Sequence, residues 1–160
     1  MKKLVILLLA LVMAAGCAFA EGLPFDAVQL EFEDYGFSIC LPEDWVSIEL
    51  TEEDLADGLI LCAASPDYAR TVSVVFIDLQ TYIEDTQELA ELLGGGHIGV
   101  SVEEINGIEF VAATAKEDDA NLLYTLDSEN DGVFMFCFTP ASDGAFLEIA
   151  QGIAGSIDTL

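Results

Sequence analysis

Apolar and polar residues alternate along much of the chain after residue 20, the pattern of strands with one buried face. Val28 to Glu33 alternates first, and Phe37, Ile39 and Leu41 continue the pattern after a turn at residues 34–36. Apolar or alternating runs predict further strands at Leu59 to Ala64, Thr71 to Ile77, Ile98 to Ile105, Ile108 to Ala115, Leu122 to Leu126 and Val133 to Phe138. Asn106-Gly107 predicts a hairpin, because both residues tolerate the positive φ of a type I′ turn.

The hydrophobic spacing changes to that of a helix in three segments. Thr51 followed by three acidic residues predicts a capped helix start. The other two helical faces are Tyr82, Ile83, Leu89, Leu92 and Leu93, ending at Gly94, and Phe146, Ile149, Ile153 and Ile157. No internal repeat or long linker interrupts residues 21–160. We therefore expect a single domain with an α+β fold, a mostly antiparallel β-sheet covered by helices.

The string Tyr35 to Trp45, YGFSICLPEDW, resembles the G-F-x-I-x-x-P-x-x-W opening of the Mog1/PsbP-like domains. The Asn106-Gly107-Ile108 hairpin, the aromatic strand Val133 to Phe138 and a closing helix that ends near Ser156 follow the same layout over residues 27–158. The resemblance implies an α/β/α sandwich and a non-enzymatic adaptor or binding role, with no active-site pattern to transfer. Members of this fold group include photosystem accessory proteins, a nuclear transport factor and many secreted bacterial proteins, so the fold alone assigns no function.

Residues 1–20 have the pattern of a secretory signal. Lys2 and Lys3 precede the apolar run Leu4 to Val12, and Ala18-Phe19-Ala20 forms an A-x-A cleavage site. The run is shorter than the roughly 20 residues that cross a bilayer. Ala14-Ala15-Gly16-Cys17 resembles a bacterial lipobox, in which Cys17 would be acylated. We expect an exported bacterial protein, extracellular or in the cell envelope. The A-x-A site favours secretion over tethering through Cys17.

The chain is strongly acidic, with 30 acidic and 4 basic residues. Lys2 and Lys3 leave with the signal, so Arg70 and Lys116 remain against 30 acids and the formal charge becomes −28. Such a surface repels nucleic-acid phosphates and anionic lipid headgroups. It attracts cations and basic partners, and it keeps an exported domain in solution. We therefore expect a protein partner, no nucleic-acid partner, and membrane contact only through a lipid on Cys17.

Three cysteines, Cys40, Cys62 and Cys137, lie in the domain, each in an apolar strand-like run. Their spacing fits no zinc motif. An odd number permits three buried thiols or one disulfide with a thiol left over, since export allows oxidation without requiring it. Cys40 and Cys62 are the best candidate pair, on neighbouring predicted strands.

The motifs that could carry chemistry are incomplete. Residues 127–132, DSENDG, resemble the start of an EF-hand loop, but position 12 is Phe138 instead of glutamate. A plain turn is favoured, with weak cation binding by Asp127, Glu129 and Asp131 as the alternative. His97 is the only histidine and follows three glycines that lack a phosphate-loop ending. The sequence thus predicts no catalytic residue, cofactor or metal site.

Trp45, the only tryptophan, is expected in the core beside the first hairpin and not as an exposed anchor. Paired acids such as Glu52-Glu53 and Glu103-Glu104 are expected on solvated faces, because glycoside hydrolysis needs carboxylates that face each other across a cleft. The expected function is a non-enzymatic exported domain that binds another protein. A small-molecule or calcium-binding module that uses the acidic loops is the alternative, and a hydrolase is a third class.

Overall fold

Two antiparallel sheets face each other in residues 22–127 and 131–160, the part of the chain that the computed structural model describes. The smaller sheet contains β1 (Ala27–Phe32), β2 (Phe37–Pro42) and β10 (Asp158–Thr159), in the order β1-β2-β10. The larger sheet contains β3 (Val46–Ser47), β4 (Leu59–Ala64), β5 (Thr71–Asp78), β6 (Ile98–Ile105), β7 (Ile108–Ala115), β8 (Ala120–Asp127) and β9 (Gly132–Thr139). Its strand order is β3-β4-β5-β9-β8-β7-β6.

The helices of the described residues are α1 (Glu52–Ala56), α2 (Thr86–Leu93) and α3 (Gly144–Gly155), and each begins at a side-chain cap. Thr51 and Asp54 form a capping box at α1, while Asp85 and Asp143 accept backbone N–H groups at α2 and α3. Among these residues, none of the helices combines the length and hydropathy needed to cross a bilayer.

The apolar residues form two cores, one on each face of the larger sheet. The main core lies between the larger sheet, the smaller sheet and α3, with Ile39, Val72, Phe110, Phe136 and Ile153 almost fully buried. The second core lies under α2, where Leu89 and Ala90 pack on β7 and β8. The expected α+β class and mostly antiparallel pairing are confirmed, with α2 and α3 on opposite faces. The strands divide between two sheets, however, where the sequence analysis expected one.

The hairpin at Asn106-Gly107 is confirmed, with φ values of 51° and 80°. Its flanking strands end at the predicted residues. The Nδ2 of Asn106 donates to the carbonyl oxygens of Gly155 and Ile157, both at 2.9 Å, and so joins the hairpin to the end of α3. Ile157 lies beyond the helix but is buried. The turn therefore holds together elements that are about fifty residues apart in the chain.

The second predicted helix is shorter than its hydrophobic pattern suggested. Tyr82 and Ile83 precede α2, since the Asp85 carboxylate caps the helix at Thr86. Tyr82 is 76% exposed, whereas Ile83 packs against the second core. Gly94 ends the helix as predicted.

The segment before β1 is packed against α3. A Cβ at Gly152 would lie 2.7 Å from Cδ of Pro24 and 2.9 Å from Cε1 of Phe25. Only glycine therefore leaves room for these two side chains to pack on the helix. The signal segment and Cys17 lie outside the described residues, as do residues 128–130 of the acidic loop.

Candidate functional site

A groove lined by residues of both sheets lies at one end of the main core. Its volume is about 480 Å³. We call this cavity the aromatic groove. Tyr35, which is 43% exposed, stands at its mouth. The floor consists of buried residues, namely Phe37, Phe110, Phe134, Phe136 and Ile157. The groove thus lies over an aromatic core whose rings are shielded from solvent behind Tyr35.

The phenyl rings of the floor hold one another in edge-to-face contact. The ring centroids of Phe37 and Phe134 are 5.4 Å apart, and those of Phe37 and Phe136 are 5.6 Å apart. Phe110 contacts Phe136 at 6.0 Å, and Tyr35 contacts Phe134 at 6.0 Å. Such rings stabilise one another beyond their buried area, by about 0.5–1.5 kcal/mol a pair. The floor is therefore a preformed surface of ring edges and faces.

A glycine turn places Tyr35 at the mouth. Residues Glu33–Tyr35 form a single 3₁₀ turn, and Gly36 ends it at φ 69°, a conformation that favours glycine. The Gly36 carbonyl accepts the backbone N–H of Leu160 at 3.0 Å. This bond ties the turn to the residue that follows β10, so both sides of the mouth are fixed by backbone contacts.

Acidic side chains surround the mouth of the groove. Glu33 and Asp34 are exposed on the 3₁₀ turn, and Asp127 is half-buried at the end of β8. None of the described residues that line the groove is basic. Arg70 precedes β5 and Lys116 follows β7, so both lie at the opposite end of the larger sheet, about 20 Å away along the strands. The described part of the rim is consequently acidic, and both cations of the described residues lie at the other end of the sheet.

A second cavity, of about 370 Å³, lies at that opposite end and is lined by Trp45, Phe25 and Arg70 among others. The indole of Trp45 stacks on Phe146 with centroids 6.0 Å apart, as expected for a core contact, but it remains only half-buried. The Arg70 Nε donates to Asp143 at 2.7 Å and holds the pKa of that carboxyl below its usual value. Arg70 is thus engaged in an ion pair that joins β5 to the start of α3.

The three cysteines of the described residues lie apart from the groove, and Cys62 and Cys137 are free thiols. The expected proximity of Cys40 and Cys62 was wrong, because Cys40 lies in the smaller sheet and Cys62 in the larger one. Cys62 and Cys137 instead flank Ser73 across three adjacent strands. Burial raises the pKa of both thiols, and the Asp54 carboxylate raises that of Cys62 further. Protonated thiols of this kind are poor nucleophiles.

His97 lies at the end of α2, with Nδ1 3.2 Å from the Leu93 carbonyl oxygen and Nε2 3.4 Å from the Tyr124 hydroxyl. Neither contact is a thiol or a carboxylate, so these contacts form no catalytic pair. Glu103 and Glu104 stand opposite Phe110 and Glu109 on β7, and successive strand residues face opposite sides of the sheet.

Of the predicted cation ligands, Asp127 and Asp131 are at the ends of the β8–β9 turn, while Glu129 lies outside the described residues. Phe138, at the position of the EF-hand glutamate, is buried in β9. Within residues 22–127 and 131–160, no group of three metal-ligating side chains comes together.

The sequence analysis did not identify the aromatic groove. Tyr35, Phe110 and Phe136 come from segments that are far apart in the chain, and each has the pattern of an ordinary core residue. The one available signal was the alternation of Phe134, Phe136 and Phe138 in the aromatic strand, which places three rings on one face.

Comparisons with known proteins show a similarity of fold. No protein-family model and no curated protein matches this chain. It is similar to the solution structure of cyanobacterial PsbP (CyanoP) from Synechocystis sp. PCC 6803, with a TM-score of 0.62 and 10% identity over 92% of this chain and 96% of that chain. A crystal structure from Bacteroides thetaiotaomicron VPI-5482 has a TM-score of 0.53 and 17% identity; the match covers 78% of this chain and 45% of that longer chain. The resemblance expected from YGFSICLPEDW is confirmed at the level of the fold, and this chain has a PsbP-like fold.

Proposed function

We propose that this chain is an exported accessory domain that binds a partner protein in the aromatic groove and catalyses no reaction on it. The observation that carries the proposal is the groove of about 480 Å³ at the end of the main core, with Tyr35 exposed at its mouth and aromatic rings beneath it. Apolar clefts with a few polar groups at their edges are the usual form of a binding site. Bulky aromatic anchors in such clefts also dominate the energetics of protein interfaces.

The chemistry of the lining favours binding over catalysis. The side chains that could donate or accept a proton at the groove are the rim carboxylates and the hydroxyls of Tyr35, Thr125 and Thr159, and neither a histidine nor a cysteine is among the described residues of its lining. The thiols lie elsewhere with raised pKa values, and His97 contacts the end of α2.

Export is supported by the pattern of residues 1–20, and the position of cleavage decides where the domain acts. Cleavage behind Ala20 would release it, whereas acylation of Cys17 would hold it at the membrane. The intact mass of the mature protein distinguishes the two. A mature chain that still begins at Met1 would contradict export.

Binding in the groove can be tested with two tyrosines on opposite sides of the larger sheet. A photoreactive phenylalanine analogue in place of Tyr35 would stand at the mouth of the groove, and the same analogue in place of Tyr82 would stand beside α2. We expect a specific cross-linked adduct in the exported fraction from position 35 only. The purified partner should then bind Tyr35→Ala more weakly than Tyr82→Ala. Equal adducts from both positions, or equal affinities of the two variants, would count against the groove.

A further inference from the structure

We propose that Asn106-Gly107 is a modification site, at which the asparagine deamidates spontaneously and the modified hairpin separates from the end of α3. Neither a partner nor a ligand takes part. The dipeptide combines two properties. Asparagine before glycine is a pair in which the backbone reaches the side chain with little hindrance. The side chain of Asn106 also joins segments that are about fifty residues apart in the chain.

The nucleophile is the backbone nitrogen of Gly107, which attacks the side-chain Cγ of Asn106. The new N–C bond closes a five-membered succinimide ring, the Cγ–Nδ2 bond breaks, and the proton of the Gly107 amide leaves with the nitrogen as ammonia. Water then opens the ring at one of its two carbonyls and gives aspartate or isoaspartate. Both residues are exposed, and apart from its chain neighbours no atom lies within 4 Å of the place that a Cβ of Gly107 would take. Nothing on this side therefore obstructs the attack.

The folded chain restrains the same asparagine. Its Nδ2 carries two N–H groups and meets two acceptors, the carbonyl oxygens of Gly155 and Ile157, each at 2.9 Å. The carboxamide must turn from these acceptors toward its own backbone before Gly107 can attack. The reaction consequently passes through a local opening in which the hairpin leaves the end of α3. How often that contact opens sets the rate.

The product cannot form the contact again. An ionised carboxylate only accepts hydrogen bonds, and here it would face the two carbonyl oxygens that Nδ2 binds. Isoaspartate also lengthens the backbone by one atom, in a two-residue turn that closes directly on the pair Ile105 and Ile108. Either product adds a negative charge to a strongly acidic chain. The change therefore runs in one direction, from the joined to the separated state.

The separation affects the end of the domain that holds the aromatic groove. Ile108 follows the turn directly, Ile157 supplies one of the two acceptors, and both residues line the groove. The strand β10 begins at Asp158 and pairs with β2. Once the contact is lost, the residues after α3 are held by fewer bonds. We expect them to become more accessible to carboxypeptidase.

Mass analysis of peptides from the aged, purified domain measures the reaction at Asn106, with Asn121 as an internal control. In urea at neutral pH we expect Asn106 to react much faster than Asn121, because the side chain of Leu122 hinders attack at the latter. In native buffer Asn106 should still react, but roughly tenfold more slowly than in urea, given the strength of two hydrogen bonds. Equal native and urea rates, or no detectable native reaction, would overturn the proposal.

Two buried aliphatic side chains distinguish local opening from global unfolding. Ile157→Ala removes a side chain that is 1% exposed at one of the acceptors, and Leu89→Ala removes one that is 4% exposed beneath α2, in the other core. At a temperature where both variants remain folded, Ile157→Ala should accelerate deamidation roughly fivefold and Leu89→Ala by less than about twofold. Equal acceleration would show that only global unfolding exposes the site, contrary to the proposal.

Asn106→Asp reproduces the aspartate product, so the consequence can be tested even if Ile157→Ala does not fold. Asn121→Asp is the matched control, since it adds the same charge by the same exchange. The Oδ1 of Asn121 accepts the Thr114 hydroxyl at 3.1 Å, and a carboxylate can keep that bond. We expect Asn106→Asp, but not Asn121→Asp, to lower the urea midpoint and to speed removal of the residues after α3 by carboxypeptidase. Equal effects of the two variants would mean that added charge alone is responsible, and would refute the separation of the hairpin from α3.

Discussion

Asn106 offers a direct test of how the hairpin and the last helix hold one another. Its side-chain amide donates two hydrogen bonds of 2.9 Å, to the carbonyl oxygens of Gly155 and Ile157, while its backbone adopts φ 51°. Asn106→Gly keeps the backbone conformation and removes only the two hydrogen bonds. At about 0.5–1.5 kcal/mol for each bond, and with the exposed Gly155 end able to bind water, the expected loss is about 1–2 kcal/mol.

A second variant isolates the backbone contribution. Asn106→Ala loses the same hydrogen bonds and also places a Cβ in the left-handed region, which costs about 1 kcal/mol more. We therefore expect stabilities in the order wild type, Asn106→Gly, Asn106→Ala. Ser101→Ala, at an exposed position on the same hairpin, should stay within about 0.5 kcal/mol of wild type.

Urea unfolding followed by circular dichroism measures these differences as shifts in midpoint at constant slope. An Asn106→Gly variant within about 0.3 kcal/mol of wild type would show that the two hydrogen bonds contribute nothing net. Equal stabilities of the glycine and alanine variants would show that the positive φ costs nothing at this turn. Either result would refute the corresponding part of the reasoning.

Three further predictions concern α3 and the charge of the domain. Gly155→Ala should leave the melting temperature unchanged or raise it, because nothing lies where its Cβ would be placed. Gly152→Ala should lower the melting temperature and speed proteolysis of the segment before β1, because its Cβ would collide with Pro24. Equal effects of the two substitutions would contradict this packing. The melting temperature at pH 7 should rise from about 50 mM to about 500 mM NaCl, because salt screens the self-repulsion of a −28 domain, and a flat profile would contradict this. The lowered pKa of Asp143 means that its ion pair with Arg70 contributes stability above the ordinary value of 3.8, and this contribution is lost as pH falls through the folded value. Asp143→Asn, which keeps a capping side chain, should be less stable than wild type at pH 7, and the difference should shrink as pH falls below 3.8 and through the lowered folded pKa. Chemical denaturation at each pH measures the difference, and a constant difference would be inconsistent with the ion pair.

The elements that depend on local sequence were predicted closely. The two strands of the hairpin, Ile98–Ile105 and Ile108–Ala115, have the predicted bounds. Period-two alternation and the Asn-Gly turn depend only on residues that are close in the sequence. Capping at Thr51 was predicted for the same reason. The two-residue strands β3 and β10 were missed, since two residues carry no period and pair only where tertiary structure brings a partner.

The division into two sheets and the aromatic groove depend on distant contacts. β5 pairs with β9, which lies more than fifty residues further along the chain, and the sequence of neither strand indicates which strand it pairs with. For the same reason the suggested pairing of Cys40 with Cys62 was wrong: the strands that carry them, β2 and β4, belong to different sheets. The groove combines Tyr35, Phe110 and Phe136 in the same way, so it could be found only once the topology was known.

The docking of Pro24 and Phe25 on α3 fixes which way the groove faces relative to anything that precedes it. From this docking site, β1 runs six residues, about 20 Å, toward the turn at Glu33. Cys17 is seven residues before Pro24, so a lipid on Cys17 could be no more than about 25 Å from α3. In a tethered domain the docking end would therefore stay within that distance of the lipid, whereas the groove opens at the far end of β1. A lipid on Cys17 would thus attach the domain from the end opposite its groove, and the attachment point would not cover the mouth.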